Sequence, residues 1–180
     1  LDLFAPALDA ESYFAHYITM HNPRFFGRFV GFVEIMIPGF SRPALERLLP
    51  TLGESETGWG WGLDSVWPKL LDYTNVAIID GVTVSHTRPV GEMRDPELHR
   101  RVLKESDTLL ERYDCRQMHT TFGAFGADHQ PIDLSPERLL LDLVDGWDYL
   151  YERDPRVLAW IAHFQSQHFT WPEYPVAGTP

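Results

Sequence analysis

A chain of 180 residues, 44% hydrophobic and 13% aromatic, has enough apolar material to bury a core as one domain and does not have the composition of a disordered segment. Its 15 Lys and Arg against 26 Asp and Glu give a net charge of −11, which argues against nucleic acid or an anionic membrane surface as a partner, since both need clustered cations. The single cysteine, Cys115, excludes an internal disulfide and a multi-cysteine zinc site, and no run is apolar and long enough to cross a bilayer, so the expected location is cytoplasmic.

Leu1 to Pro6 reads like the end of a buried strand, and a domain opening inside a strand is expected to have lost what came before it. Phe29 to Ile37 is the clearest strand, apolar on both faces except at Glu34, and Pro38-Gly39 ends it. Ser41 is placed to cap a helix with Pro43 in its first turn, running from Ala44 to Leu49 and closing near Gly53. Gly53 to Gly62 is an acidic, glycine-rich loop, and a second helix is expected from Asp64 to Leu71. Val76 to Ile79 is a short strand, Asp80-Gly81 a turn, and Val82 to His86 a further extended piece.

Beyond Pro89-Val-Gly91 the texture changes. Asp95-Pro96 opens a helix reaching about Tyr113, with Val102, Leu103, Leu109 and Leu110 as its apolar positions. A loop follows from Cys115 to Asp133, and Ser135-Pro-Glu137 and Asp154-Pro155 open two further helices before an extended tail from Trp171 to Pro180. The organisation expected is a single domain over 1–180, with an α/β unit over 1–91 and a helical extension over 92–180 packed on it.

The most unusual run is Thr57 to Asp64. Gly58, Gly60 and Gly62 permit positive φ and close approach of backbone to a ligand, while Trp59 and Trp61 offer flat faces for a sugar ring or nucleobase. Asp64 reads equally as a helix N-cap or as a general base held at a loop–helix junction. The spacing fits neither a P-loop nor a dinucleotide-binding fingerprint. Glu34, a carboxylate inside an apolar strand, must be paired, hydrogen-bonded or aimed into a cleft, and Arg28 is the nearest candidate partner. His86 is a structural hydrogen-bonder or a ligand; Arg88 could serve a diphosphate or a buried carboxylate. Asp80 reads as a turn residue. His16, His21 and Arg24 lie in a segment that could line a pocket, and His119 and His129 are expected to be exposed.

Several pieces occur in a characteristic order: Ala5-Pro-Ala-Leu8, Ser12 to His16, Phe32-Val-Glu-Ile-Met-Ile-Pro38 with Phe40-Ser41, Gly60-Trp-Gly-Leu-Asp64 with Trp67, and Ile79-Asp80 before Val84-Ser-His86. Over roughly the first half of the chain this resembles the domain-of-unknown-function 707 family, which is related to GT-A-type glycosyltransferases. The resemblance implies a partial GT-A-like mixed sheet and transfer of a hexose from a nucleotide-sugar donor to a glycan or small-molecule acceptor, with Mn²⁺ or Mg²⁺. It implies that Asp64 is the base, that Gly58, Gly60 and Gly62 form the loop, and that His86 is the late metal ligand. Glu34 is then a pocket residue, with Trp59, Trp61 and Arg88 on the substrate side. The chain has no Asp-x-Asp motif, so the donor half of such a site is expected to lie before the equivalent of Leu1. Two other readings stay open: a non-catalytic carbohydrate-binding or scaffold module, and a hydrolase that uses Glu34 and Asp64 as a carboxylate pair.

Overall fold

The computed structural model describes residues 1–14, 16–88, 95–132 and 134. Six strands form one mixed sheet: β1 (Leu3–Leu8), β2 (Gly27–Val30), β3 (Gly39–Phe40), β4 (Val76–Val84), β5 (Thr121–Phe125) and β6 (Pro131–Ile132), in the order β3-β1-β4-β2-β5-β6. β1 and β4 pair in parallel and every other pairing is antiparallel. Three helices accompany the sheet, α1 (Arg42–Leu48), α2 (Leu63–Leu70) and α3 (Pro96–Arg112). Among the described residues no helix is long and apolar enough to cross a membrane.

The two central parallel strands carry the apolar composition such a position demands. Leu3, Ala5 and Ala7 of β1 are buried, as are Val76, Ala77 and Ile78 of β4. All of these but Ala77 join one core with Val30, Phe32 and Val33 and with Leu63, Val66 and Trp67 of α2. Trp67 is fixed from two sides, edge-on against Phe40 at 5.3 Å and by donation from Nε1 to Thr51 Oγ1 at 2.8 Å.

Local chemistry accounts for the helix starts. Ser41 accepts from the backbone N–H of Ala44 at the head of α1, with Pro43 in the first turn, and Asp95 does the same for Glu97 ahead of α3. The strand expected from Phe29 to Ile37 is much shorter. It leaves the ladder after Val30, and Ile35 to Ile37 form a turn with Met36 and Ile37 exposed. Phe32 and Val33 are buried in the core without being part of the sheet, which an apolar run cannot distinguish from a strand buried on both faces.

β4 passes straight through the Asp80-Gly81 turn expected to end it. Its register against β1 jumps from Pro6–Ile79 to Ala7–Thr83, so residues 80–82 bulge out of that ladder. The bulge turns Gly81 toward Phe26, whose carbonyl accepts the Gly81 N–H at 2.8 Å; a Cβ there would lie 2.5 Å from the Phe26 ring. The loop expected from Cys115 to Asp133 contains β5 and β6, which extend the sheet beyond β2. Residues past 92 therefore contribute strands as well as α3. The helices expected at Ser135 and Asp154, and the tail from Trp171, lie outside the described residues.

Candidate active site

One proline organises the centre of the site. Pro68 lies inside α2 and has no N–H to bond the carbonyl of Asp64, four residues earlier. That carbonyl accepts instead from the backbone N–H of Val33 at 3.4 Å. The segment leaving β2 is thus tied to the first turn of α2, which brings Glu34 beside Asp64.

Neither bland role weighed for these two residues survives. Asp64 is not the N-cap of α2: Gly62 is, at φ 98°, and no side chain caps it. Asp64 sits inside the first turn, 7% exposed, accepting from its neighbour Ser65 Oγ at 3.1 Å. Arg28 is not the partner of Glu34 either. It is spent on Asp80, with Nε on Oδ2 at 2.8 Å and a terminal guanidinium nitrogen on Oδ1 at 2.9 Å. Asp80 in turn is no surface turn residue; it is 1% exposed and also accepts from the Asn22 N–H at 2.8 Å.

Glu34 and Asp64 are therefore buried near each other, and no cation pairs with either among the described residues. Glu34 Oε2 is sealed from solvent without a hydrogen-bond partner. Burial, and then the negative charge of Asp64, push the Glu34 carboxyl up to about 7. Burial pushes Asp64 up to about 6, partly offset by the Ser65 hydroxyl and N–H. Two carboxyls so placed hold one proton between them near neutrality, and their titration belongs to the pair. Cys115 is near enough to register the same charge. Its thiol is raised first by burial and further by Asp64, with Lys69 opposing.

The tryptophan–glycine loop leads into α2 and reaches the neighbour of Glu34. Gly58, Gly60 and Gly62 all have positive φ, at 73°, 69° and 98°, as the alternation of glycines requires. Gly60 rests against Ile35, whose Cδ1 would be 2.9 Å from an added Cβ; the loop therefore packs on the residue next to Glu34. Trp61 turns its ring edge-on to His99 of α3 at 5.8 Å, while Trp59 remains 45% exposed.

What holds the loop is a residue that sequence reasoning did not single out. Glu105 of α3 accepts from Ser55 Oγ at 2.7 Å, from the Thr57 N–H at 2.8 Å and from Thr57 Oγ1 at 2.9 Å, and Ser55 Oγ also accepts the Gly60 N–H at 2.9 Å. Burial raises the Glu105 carboxyl, but these donors outweigh it and hold the group below its ordinary value. The hydroxyls at Ser55 and Thr57, beside bare glycine N–H groups, were the signal that the loop needed an acceptor from elsewhere.

His86 stands apart from the pair. It follows β4, whereas Glu34 follows β2, which runs antiparallel to β4 and ends toward that strand's beginning. Its Nδ1 is 2.8 Å from the Tyr13 carbonyl and its N–H donates to Ser12 Oγ at 2.9 Å. A carbonyl only accepts, so Nδ1 carries the hydrogen and neutral His86 presents Nε2 as a lone pair. That is the disposition of a metal ligand. Among the described residues, however, no group of three His, Cys, Asp or Glu side chains gathers to complete a set. Nearby Asp9 is engaged by Ser12 and Ser85. Arg88 is exposed beyond the end of β4.

Of the histidines expected to be exposed, His129 is, whereas His119 is not. His119 packs edge-on to Phe32 at 4.8 Å and to Tyr17 at 5.5 Å, and its Nε2 is sealed from solvent. His16 joins the same cluster, 4.5 Å from the Phe32 ring, and burial, followed by the proximity of His119, lowers it to about 3. His21 and Arg24 do not share this cluster; the His21 N–H donates to the Leu8 carbonyl and the Arg24 N–H to Asn22 Oδ1.

No family model matches the chain, and no curated protein and no solved structure matches it either.

Proposed function

We propose that this chain carries the acceptor side of a glycosyltransferase, which moves a hexose from a nucleotide-sugar to a hydroxyl of an acceptor. The observation that carries the reading is the buried Glu34–Asp64 pair, which no cation pairs among the described residues, with the glycine–tryptophan loop packed on Ile35 beside it. Asp64, titrating near 6, is ionised at neutral pH and basic enough to take a proton. It removes the acceptor hydroxyl proton as that oxygen bonds to the anomeric carbon, and the anomeric carbon–oxygen bond to the diphosphate breaks with its electron pair leaving on the diphosphate. Glu34, protonated in part at neutrality, donates to Asp64 or to the acceptor oxygen and fixes its position. The order of motifs shared with the domain-of-unknown-function 707 family supports the same assignment.

His86 fits as one ligand of a divalent cation and the described residues supply no more. Such a cation would neutralise the diphosphate as it departs. The residues of this chain act without it in the proton transfer: Asp64 receives, Glu34 positions, and Trp59 and Trp61 bind the ring faces of the acceptor.

The test is a transfer assay across nucleotide-hexoses, Mn²⁺ and hydroxyl acceptors, comparing the unaltered chain with Asp64→Asn. Loss of a positioned base costs roughly 10²–10⁴-fold in rate, with circular dichroism unchanged. Transfer that persists in Asp64→Asn overturns the base assignment. Cleavage of an aryl glycoside without any nucleotide-sugar would instead make the pair that of a hydrolase. A second reading, a non-catalytic carbohydrate-binding module, draws on Trp59, whose exposed face suits a sugar ring without any chemistry. Glycan binding equal in the unaltered chain and Asp64→Asn, with no turnover in either, would favour it.

A further inference from the structure

The outer face of the clamp that holds the tryptophan–glycine loop is itself a cleft of about 340 Å³, between α3 and the Glu54–Thr57 segment. Its groups divide into those already spent and those still free. The Glu54 carboxylate is taken by the Arg112 guanidinium at 2.6 Å and by the Tyr113 hydroxyl. Glu105 receives three donors from Ser55 and Thr57. The Thr108 hydroxyl donates to the Lys104 carbonyl at 2.8 Å.

The side chains of Arg101 and Lys104, one helical turn apart on the face of α3 that lines the cleft, make no hydrogen bond or ion pair with any described residue. The exposed Glu56 completes the lining as an uncommitted acceptor. The Glu54–Arg112 pair is neutral by itself. Arg101 and Lys104 against Glu56 and Glu105 then leave the cleft with no formal net charge. A lining of that kind, on a chain of net charge −11, offers no field to attract a polyanion. It offers a guanidinium fork and an ammonium for one carboxylate, and carboxylate oxygens for hydroxyl donors beside it.

A polyhydroxylated ring bearing a single carboxylate matches those groups one for one. We propose that the cleft is a subsite for an acidic sugar, a hexuronate of the glycan acceptor, with Arg101 and Lys104 on its carboxylate and Glu56 on its hydroxyls. Thr57 belongs both to the cleft and to the loop that carries Trp59, so one glycan can lie across the two. The inference rests on the carbohydrate reading of the loop and not on the proton transfer at Asp64.

The experiment is a calorimetric and NMR titration of the chain with three probes: a glucuronate-terminated disaccharide, its neutral glucose counterpart, and inorganic pyrophosphate. The glucuronate probe is expected to bind at least tenfold more tightly than the neutral one, and Arg101→Gln with Lys104→Gln to remove that advantage. Both positions are exposed on α3, so folding is retained and checked by circular dichroism. Equal binding of the neutral sugar overturns the proposal, as does an advantage that survives the double substitution. Pyrophosphate binding in preference to glucuronate overturns it too, in favour of a phosphate site. Asp64→Asn is expected to keep the glucuronate advantage while losing transfer, so the failure of either reading shows independently of the other.

Discussion

Arg28 and Glu34 lie on one short segment and both put charge into the interior, but the molecule provides for them in opposite ways. At Arg28 the charge is answered: the guanidinium meets both oxygens of Asp80 and donates to the Met20 carbonyl at 2.8 Å, and Asp80 also takes the Asn22 N–H. At Glu34 the charge that acts on it is another carboxylate, and one oxygen has no partner among the described residues. A buried ion pair so completely satisfied fixes geometry, here joining β2 to the bulge of β4. Two like carboxyls without a cation cost folding energy and serve no structural end. The contrast is what supports the chemical role proposed for Glu34 and Asp64.

The largest effect expected from breaking that contrast lies on the structural side. Asp80→Ala leaves a guanidinium 3% exposed without a counter-charge and strands the Asn22 N–H. Removing one partner of a buried pair costs about 3–5 kcal/mol, a large share of a typical domain's stability, and is read from urea unfolding monitored by the tryptophans. If Asp80→Ala unfolds at the same urea concentration as the unaltered chain, the ion pair does not have the role assigned to it.

At the carboxylate pair the sign reverses. Glu34 is raised from an ordinary 4.5 to about 7 in the folded chain, so between those values the native state holds a proton that the unfolded state has lost. Stability therefore falls as pH rises from about 4.5 to 7 and levels off above, a loss on the order of 1–3 kcal/mol from this group. Glu34→Gln removes the titration. It is expected to flatten that slope and to be more stable than the unaltered chain at pH 8, while transfer falls. Urea midpoints from pH 4.5 to 8 decide it, and an unchanged slope in Glu34→Gln would show that Glu34 is not the strained group.

Much of the frame was legible in the sequence because it depends on neighbours in sequence. Ser41 with Pro43 and Asp95 with Pro96 announce helix starts through short-range geometry, and the structure places both helices there. The glycines of the Thr57–Asp64 run likewise take the positive φ that their spacing suggested. What could not be read were contacts between distant segments. Asp80-Gly81 has the local form of a turn, and only the approach of β2 reveals Asp80 as the counter-ion of Arg28. Phe32 and Val33 look like strand because burial in a core segment outside the sheet leaves the same apolar mark as burial in a sheet. The pairing of Glu34 with Asp64 depends on Pro68, whose missing N–H acts on a carbonyl one turn back and then on a different segment. Nothing local to Glu34 shows that step.

A smaller effect is expected at the clamp. Glu105→Ala deprives Ser55 and Thr57 of three acceptor bonds at a partly solvated site, where water replaces much of what is lost, so stability falls by about 1 kcal/mol. The loop above the carboxylates loses its hold on α3, and glycan affinity should fall several-fold with it. Because the bonded carboxylate is depressed, its contribution is present above its unfolded value and disappears as pH falls into the acid range. Glu105→Ala and the unaltered chain should therefore converge in stability at low pH. Urea unfolding of both at pH 3.5 and 7 measures that convergence.

The smallest change in stability is expected at Trp59, and its smallness is the point. Trp67 is 5% exposed and pinned by Phe40 and Thr51; Trp59 is 45% exposed and is committed to nothing comparable. Folding alone does not explain a large aromatic face held open to solvent on a loop whose path depends on three positive-φ glycines and is clamped by Glu105. Trp59→Ala should shift the unfolding free energy by no more than about 0.5–1 kcal/mol, since little native packing is removed. Affinity for a neutral glycan should drop by roughly tenfold, the loss of one stacked ring face. Tryptophan fluorescence separates the two, because sugar stacked on Trp59 changes the emission of the unaltered chain and leaves that of Trp59→Ala untouched. If Trp59→Ala destabilises the chain severely, the ring is structural like Trp67, and the loop loses its claim to hold a ligand above Glu34 and Asp64.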